Sequence, residues 1–403
     1  MTRSLLILTS SYPFGTGGDF LEPEIAWHSA AFDRVVVLPL LPHGPREVTP
    51  PNVEVDLSLV KALHSRGARV LAAVRTPRSR RLLREAIATG GLPPSFRSWL
   101  HLLAAVGMAD RVHAWCDRHV EDRPELALSV WAGPATLGSA RSGIPTVTRA
   151  HGGDLYAERH PLNFMPMQRL ILESTEAIHP VSAQGMTYLL GRFPELSSRI
   201  SVRHLGVRGA DAVALASSDG VLRVVSCSSL TAVKRPRYVA AIIREMGRSV
   251  TVQWEHFGSG PLEGDVREIA ADFPASVTWT LHGQVPNGRI LERYAAQPVD
   301  IFLNASSSEG VPVSIMEAMS AGIPTVAPNV GGIGEIVNDR NGVLVEADAG
   351  PTEVAARVLR AVAGFGTKER QAIRDGWATG FSADANYKSF AQELCLRAAR
   401  RTS

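Results

Sequence analysis

The chain has 403 residues, more than one compact core of about 100–200 residues uses, so two domains are expected. Its 45% hydrophobic and 20% charged residues exclude a disordered or coiled-coil chain, and a net charge of +3 argues against wholesale nucleic-acid binding. Cys116, Cys227 and Cys395 are too few and too scattered for a disulfide framework or a zinc site.

The elements read in chain order as short apolar runs between amphipathic stretches. Predicted strands are Leu5–Thr9, Val35–Pro39, Leu126–Val130, Thr146–Ala150 and Ala177–Val181. The opening MTRSLLILTSSYP is too short an apolar stretch for a secretory signal, and no run reaches the ~18–20 residues that cross a bilayer. The expected location is therefore cytoplasmic. Between the second and third runs, positions 61–111 hold ten basic residues against Glu85 and Asp110. Within it, RSRRLLREAIATG spaces charge and apolar groups helically. That stretch suits the anionic inner face of a plasma membrane, an acidic acceptor, or simply a solvated face.

After residue 206 the pattern restarts. Predicted strands are Val221–Ser226, Thr251–Gly258, Val277–His282, Ile301–Asn304, Pro324–Ala327 and Gly342–Val345. Continuous apolar strands alternating with helices indicate parallel sheets covered on both faces, and two series indicate two doubly wound α/β domains. The join falls in 204–220, rich in Gly, Ala and Ser. The tail from Ala383 to Arg400 reads as a helix capped by Ser382, with Phe390, Leu394 and Leu396 as its apolar contacts.

The stretch NASSSEGVPVSIMEAMSAGIPTVAPNVGGIGEIV, 304–337, is the most informative. It reads as strand, polar loop, helix opened by Pro312 and closed by Gly322, then strand. The loop delivers backbone amides at a helix N-terminus, beyond a parallel strand's carboxyl end, where open α/β sheets bind phosphate. Glu309 lies in that loop and Glu317 two helical turns on. No Asp-x-Asp pair, complete Gly-x-Gly-x-x-Gly, Walker loop or His-Glu-x-x-His helix occurs.

Two Glu with seven intervening residues, followed by AGIPTVAPNVGGIGEIV, resemble the donor-site signature of family 4 retaining glycosyltransferases with the GT-B fold. VVSCSSLTAVKRP, VQWEHFGSGPL and LHGQVPNGRILERY are similar to the C-terminal domain of bacterial exopolysaccharide members of the colanic acid and amylovoran type. YPFGTGGDFLEPEI and RAHGGDLY resemble their N-terminal domain, whereas 41–125 matches little. The resemblance implies two Rossmann-like domains facing across a cleft. Residues 1–205 would be the acceptor side and 206–380 the nucleotide-sugar side, with 381–403 a helix crossing back.

It also implies roles. Glu317 would hold the ribose hydroxyls of a UDP- or GDP-sugar, since a carboxylate accepts from two vicinal hydroxyls. Glu309 would face the donor sugar hydroxyls or the reacting face, and the amides of the stretch Gly310, Val311, Pro312, Val313 and Ser314 would contact the sugar or diphosphate. Lys234 matches a diphosphate-binding lysine; it is one of four Lys in the chain. Ser229 stands where many relatives have an Arg, with Arg235 as its substitute. Gly17 and Gly18 belong to a glycine-rich turn that either lines the donor or is a plain turn. His151 would contact the donor sugar. Asp154 orients the loop or the substrate, or else caps the loop, and Glu335 closes the donor site or binds substrate, or else serves the helix dipole. Gly283, beside His282, would meet the base through its backbone. No cofactor or metal is implied, and the acceptor is a sugar or lipid-linked sugar. A GT-B sugar-nucleotide epimerase, or a silent nucleotide-sugar-binding subunit, is the alternative.

Overall fold

The computed structural model describes residues 3–15, 21–160 and 162–400, so Gly17 and Gly18 lie outside the described residues. The chain divides into two units: Met1–Arg203 with Tyr387–Ser403, and His204–Asn386.

The first unit is built on a six-stranded sheet in the order β3-β2-β1-β4-β5-β6, every pair parallel. Its strands are β1 (Ser4–Thr9), β2 (Arg34–Pro39), β3 (Val53–Val55), β4 (Leu126–Ser129), β5 (Thr146–Ala150) and β6 (Ala177–Pro180). β1 is buried along its whole length, as a central strand covered on both faces must be. β3 was not foreseen: a three-residue edge strand in a proline-rich stretch carries no apolar run of its own.

The second unit repeats the plan in the order β12-β11-β10-β7-β8-β9. These are β7 (Val221–Cys227), β8 (Thr251–Phe257), β9 (Val277–Leu281), β10 (Ile301–Leu303), β11 (Thr325–Pro328) and β12 (Gly342–Val345). The expected architecture, two doubly wound parallel sheets, is the one found. Helix Val313–Ser320 ends at Gly322, whose φ of +66° is the left-handed turn glycine accepts without strain.

The tail helix, Ala383–Ala399, returns the chain to the first unit's core. There Phe390, Leu394 and Ala398 pack with Leu5, Ile7, Leu128 and Val147. The expected apolar contact at Leu396 is corrected: its side chain is 62% exposed. Spacing of four residues puts 390, 394 and 398 on one face, and Leu396 points away from it.

Candidate functional site

In the second unit β10 and β7 are neighbours, but the chain leaves β7 towards β8 and β10 towards β11. Loops departing in opposite directions open a crevice at the strands' carboxyl ends, the usual ligand position in such sheets. The β7 loop brings Lys234, at the end of a short 3-10 turn, and the β10 loop brings Glu309. Lys234 Nζ donates to Glu309 Oε1 at 2.5 Å, with the two side chains 25% and 10% exposed. Ser307 straps the loops together: its N–H and Oγ both donate to the Val233 carbonyl, at 2.8 and 3.2 Å.

The glycines beside this pair are sterically required. A Cβ on Gly331, at φ +57°, would stand 1.9 Å from the Glu309 carbonyl oxygen. Gly332 N–H donates to the Gly310 carbonyl at 2.9 Å, locking the β11 loop against the β10 loop. Val311 and Pro312 are buried and feed helix Val313–Ser320, whose first amides, of Val313 and Ser314, have no acceptor within the helix. Glu335 lies in the first turn of the four-residue helix Ile333–Ile336, its N–H bonded to the Gly332 carbonyl at 3.2 Å.

Glu317 is buried, and burial pushes its carboxyl up to about 7 against the opposing hydrogen bond from Asn287. Asn287 Nδ2 donates to Glu317 Oε1 at 2.5 Å. Beneath the site, burial and then the neighbouring Glu317 push the Cys227 thiol up to about 12, so it is no nucleophile.

Ser229 is exposed, its hydroxyl 3.4 Å from Thr231 Oγ1. Arg235 adopts φ +51° at the start of helix Pro236–Gly247. Its guanidinium covers the Tyr238 ring at 4.0 Å and donates to the Ala347 carbonyl at 2.8 Å. Gly283 has φ +69°, faces open space and accepts from Gly258 N–H at 2.8 Å. The neighbouring His282 stacks on Phe257 and is held by Glu255 at 2.9 Å, while Arg293 binds the same carboxylate.

In the first unit, His151 follows β5 and packs against Trp131, with ring centroids 4.4 Å apart. Asp154 accepts from His151 N–H at 2.5 Å and from Ala132 N–H at 2.8 Å, tying the β5 loop to the β4 loop. That is an orienting geometry. Under this loop Arg149 forms a fully buried bidentate pair with Glu24, and His28 adds a bond to Glu24 at 2.9 Å. Burial alone would raise the Glu24 carboxyl; Arg149 and His28 outweigh it and hold it at about 2.

Sequence reading missed Asn287, Glu255, Arg293 and a buried chain behind Lys234. In that chain Trp254 Nε1 donates to Ser226 Oγ at 2.9 Å, and Ser226 meets His256 Nδ1 at 2.8 Å. His256 Nε2 then reaches the Ser228 carbonyl at 3.1 Å, fixing the start of the Lys234 loop. Burial drives His256 down to about 4, so the ring is neutral and Nε2–H is the donor. The available signal was LHGQVPN and QWEHF, in which Asn, Trp, Glu and His stand beside apolar strand ends.

Residues 221–363 match the family model described as glycosyl transferases group 1. This segment is a group 1 glycosyltransferase domain. It contains Lys234, Glu309, Glu317, Asn287 and the Gly331–Gly332 turn. The chain is 26% identical over 212 residues to the putative colanic acid biosynthesis glycosyltransferase WcaL of Salmonella typhimurium, covering 50% of each. The matched stretches cover between 14% and 53% of the length of the curated relatives. Among solved structures, the apo lipopolysaccharide outer core galactosyltransferase WaaB superposes with TM-score 0.66 at 13% identity over 100% of both chains. Anabaena HepE in complex with UDP and glucose does so with TM-score 0.62 at 16% identity, over 97% of this chain and 99% of that one. The fold is GT-B. Among the described residues, no three His, Cys, Asp or Glu side chains of the glycosyltransferase domain or of the first unit cluster as a metal site.

Proposed function

We propose that the chain is a retaining, metal-independent glycosyltransferase. It moves a sugar from a UDP- or GDP-sugar to a hydroxyl acceptor in bacterial exopolysaccharide or glycolipid assembly. The observation that carries this reading is the Lys234–Glu309 pair at the β7/β10 crevice, beside the open amides of helix Val313–Ser320. An ammonium and unsatisfied amides suit a diphosphate, and the carboxylate, released when phosphate takes the lysine, suits sugar hydroxyls. The likeness to WcaL supports the polysaccharide setting.

In this mechanism the bond between the anomeric carbon and the diphosphate oxygen breaks, and its electron pair stays on the diphosphate. Lys234 and the helix amides stabilise that charge. The acceptor hydroxyl bonds to the same face of the anomeric carbon, and its proton passes to a leaving-group oxygen. Glu317 holds the ribose, with Asn287 fixing its orientation. Gly310 to Ser314, Gly283, Ser229 and Arg235 frame the nucleotide sugar, and Glu335 steadies the glycine turn. We assign His151, oriented by Asp154, and Gly17 and Gly18 to the sugar as well. The acceptor is a sugar or lipid-linked sugar, and the basic 61–111 region faces an anionic membrane from the cytoplasmic side.

A thermal-shift panel of UDP-, GDP- and other nucleotide sugars tests the donor. The true donor raises the transition, and Lys234→Ala abolishes most of the shift. NMR of the product then reads the anomeric centre; an inverted product refutes retention, and turnover without acceptor favours the epimerase.

A further inference from the structure

A cavity of about 470 Å³ opens in the first unit between helix Arg66–Arg75, helix Phe96–Arg118 and the segment 153–168. Arg66, Arg69, His101 and His160 line it, together with apolar groups such as Met108 and Met165. The two histidine rings lie 4.8 Å apart. Asp154 is the one acid lining it among the described residues, and both its oxygens accept from backbone amides.

The cations here are uncompensated. Among the described residues, neither Arg66 nor Arg69 has a carboxylate within ion-pair distance, and Arg69 Nε is buried without a hydrogen-bond partner. A neighbouring cavity of about 480 Å³ makes the contrast: its Arg78 is met by Asp110 and Asp117, and its Arg81 by Glu85. The field acts on the ring nearby. Burial, then His160, Arg66 and Arg69, drive the His101 imidazole below its ordinary value.

The walls are also built to hold shape. A Cβ on Gly107 would stand 1.8 Å from the Arg69 carbonyl oxygen, so the two helices touch backbone to backbone at the level of Arg69. Asn163 and Met167 take φ +45° and +62°, bracketing the segment that supplies Met165 and Pro166. Left-handed non-glycine residues persist where the surroundings impose them, and they gather at ligand sites. Arg69 is half-buried while Arg66 is exposed; a half-buried guanidinium whose Nε has no partner costs free energy that an anionic ligand recovers.

We propose that this cavity binds the phosphate or diphosphate group of a second substrate, the sugar acceptor. The acceptor role rests on the transferase reading; the anion site itself does not. Its four nitrogen-bearing side chains match the oxygens of a phosphate ester, and the apolar wall receives what the phosphate is attached to.

Calorimetric titration with inorganic pyrophosphate and with a short-chain alkyl diphosphate tests it. The Lys234→Ala background weakens the second unit's own diphosphate binding, and the comparison of the arginine variants within that background isolates the first unit's site. Arg66→Gln with Arg69→Gln should weaken both probes at least tenfold, whereas Arg81→Gln, one charge removed from the compensated cavity, should not. Tighter alkyl diphosphate than pyrophosphate assigns the site to a lipid phosphate; equal affinity assigns it to a soluble phosphate ester. No binding of either probe, or equal weakening by Arg81→Gln, overturns the site. The nucleotide-sugar shift, read separately on the otherwise native chain, reports on the donor reading alone.

Discussion

Glu317 shows how a single buried carboxyl sets stability against use. Its ordinary value is 4.5 and burial raises it to about 7. The unfolded chain therefore loses this proton first as pH climbs. Stability falls between about pH 4.5 and 7 and is level above that, a loss of about 3 kcal/mol at 1.36 kcal/mol per pKa unit. Glu317→Gln removes this term. Its unfolding temperature relative to the native chain should be several degrees higher at pH 8 than at pH 5, while the nucleotide-sugar shift shrinks. An equal difference at both pH values would show that the carboxyl is already ionised in the fold. The sequence displayed this Glu but not its burial. Nor did it display the pairing of Glu24 with Arg149, 125 positions apart, since such partners become neighbours only once β5 is seated beside β4.

At the level of elements, most strands were legible because each central strand is a continuous apolar run. The edge strand β3 is too short to carry such a run, and apolar character alone does not place Leu396, whose helical angle turns it away from the Phe390–Leu394–Ala398 stripe. The β10–helix–β11 unit was readable in detail because proline and glycine punctuate it. Its glycine turn is a joint between two loops, and that is testable. Gly331→Ala meets both a left-handed backbone and a 1.9 Å approach to the Glu309 carbonyl. It should destabilise by about 1–2 kcal/mol from conformation alone and cut turnover at least tenfold by displacing Glu309. Gly264→Ala, in helix Glu263–Ala270 with open space around it, is the control and should stabilise by about 0.5–1 kcal/mol. Unfolding curves beside turnover separate the two effects; unchanged turnover in Gly331→Ala would remove the turn from the site.

For the molecule as a whole, the small net charge of +3 hides a concentration of arginine between positions 61 and 111. No helix among the described residues is long and apolar enough to cross a membrane. Yet Leu71, Val74, Leu92 and Phe96 are exposed within this basic region, the last two at 71% and 77%. Arginine beside exposed apolar groups is a composition that suits the membrane-facing role proposed for this region. Replacing Arg75, Arg80 and Arg84 by Gln should weaken co-sedimentation with anionic vesicles by about 1 kcal/mol per charge, close to fivefold each, and leave neutral vesicles unaffected. Equal loss on both vesicle types, or none, returns the region to a solvated face.

The return of helix Ala383–Ala399 to the first unit has a consequence for how the protein is made. A ribosome synthesises the second unit, His204–Asn386, as one uninterrupted stretch, whereas the first unit waits for Tyr387–Ser403. Until Phe390 and Tyr387 arrive, the buried Arg149 guanidinium lacks the two rings that cover it, at 4.5 and 5.4 Å. The unit begun first is thus completed last. During synthesis its half-built core is apolar surface left open until the tail helix closes it.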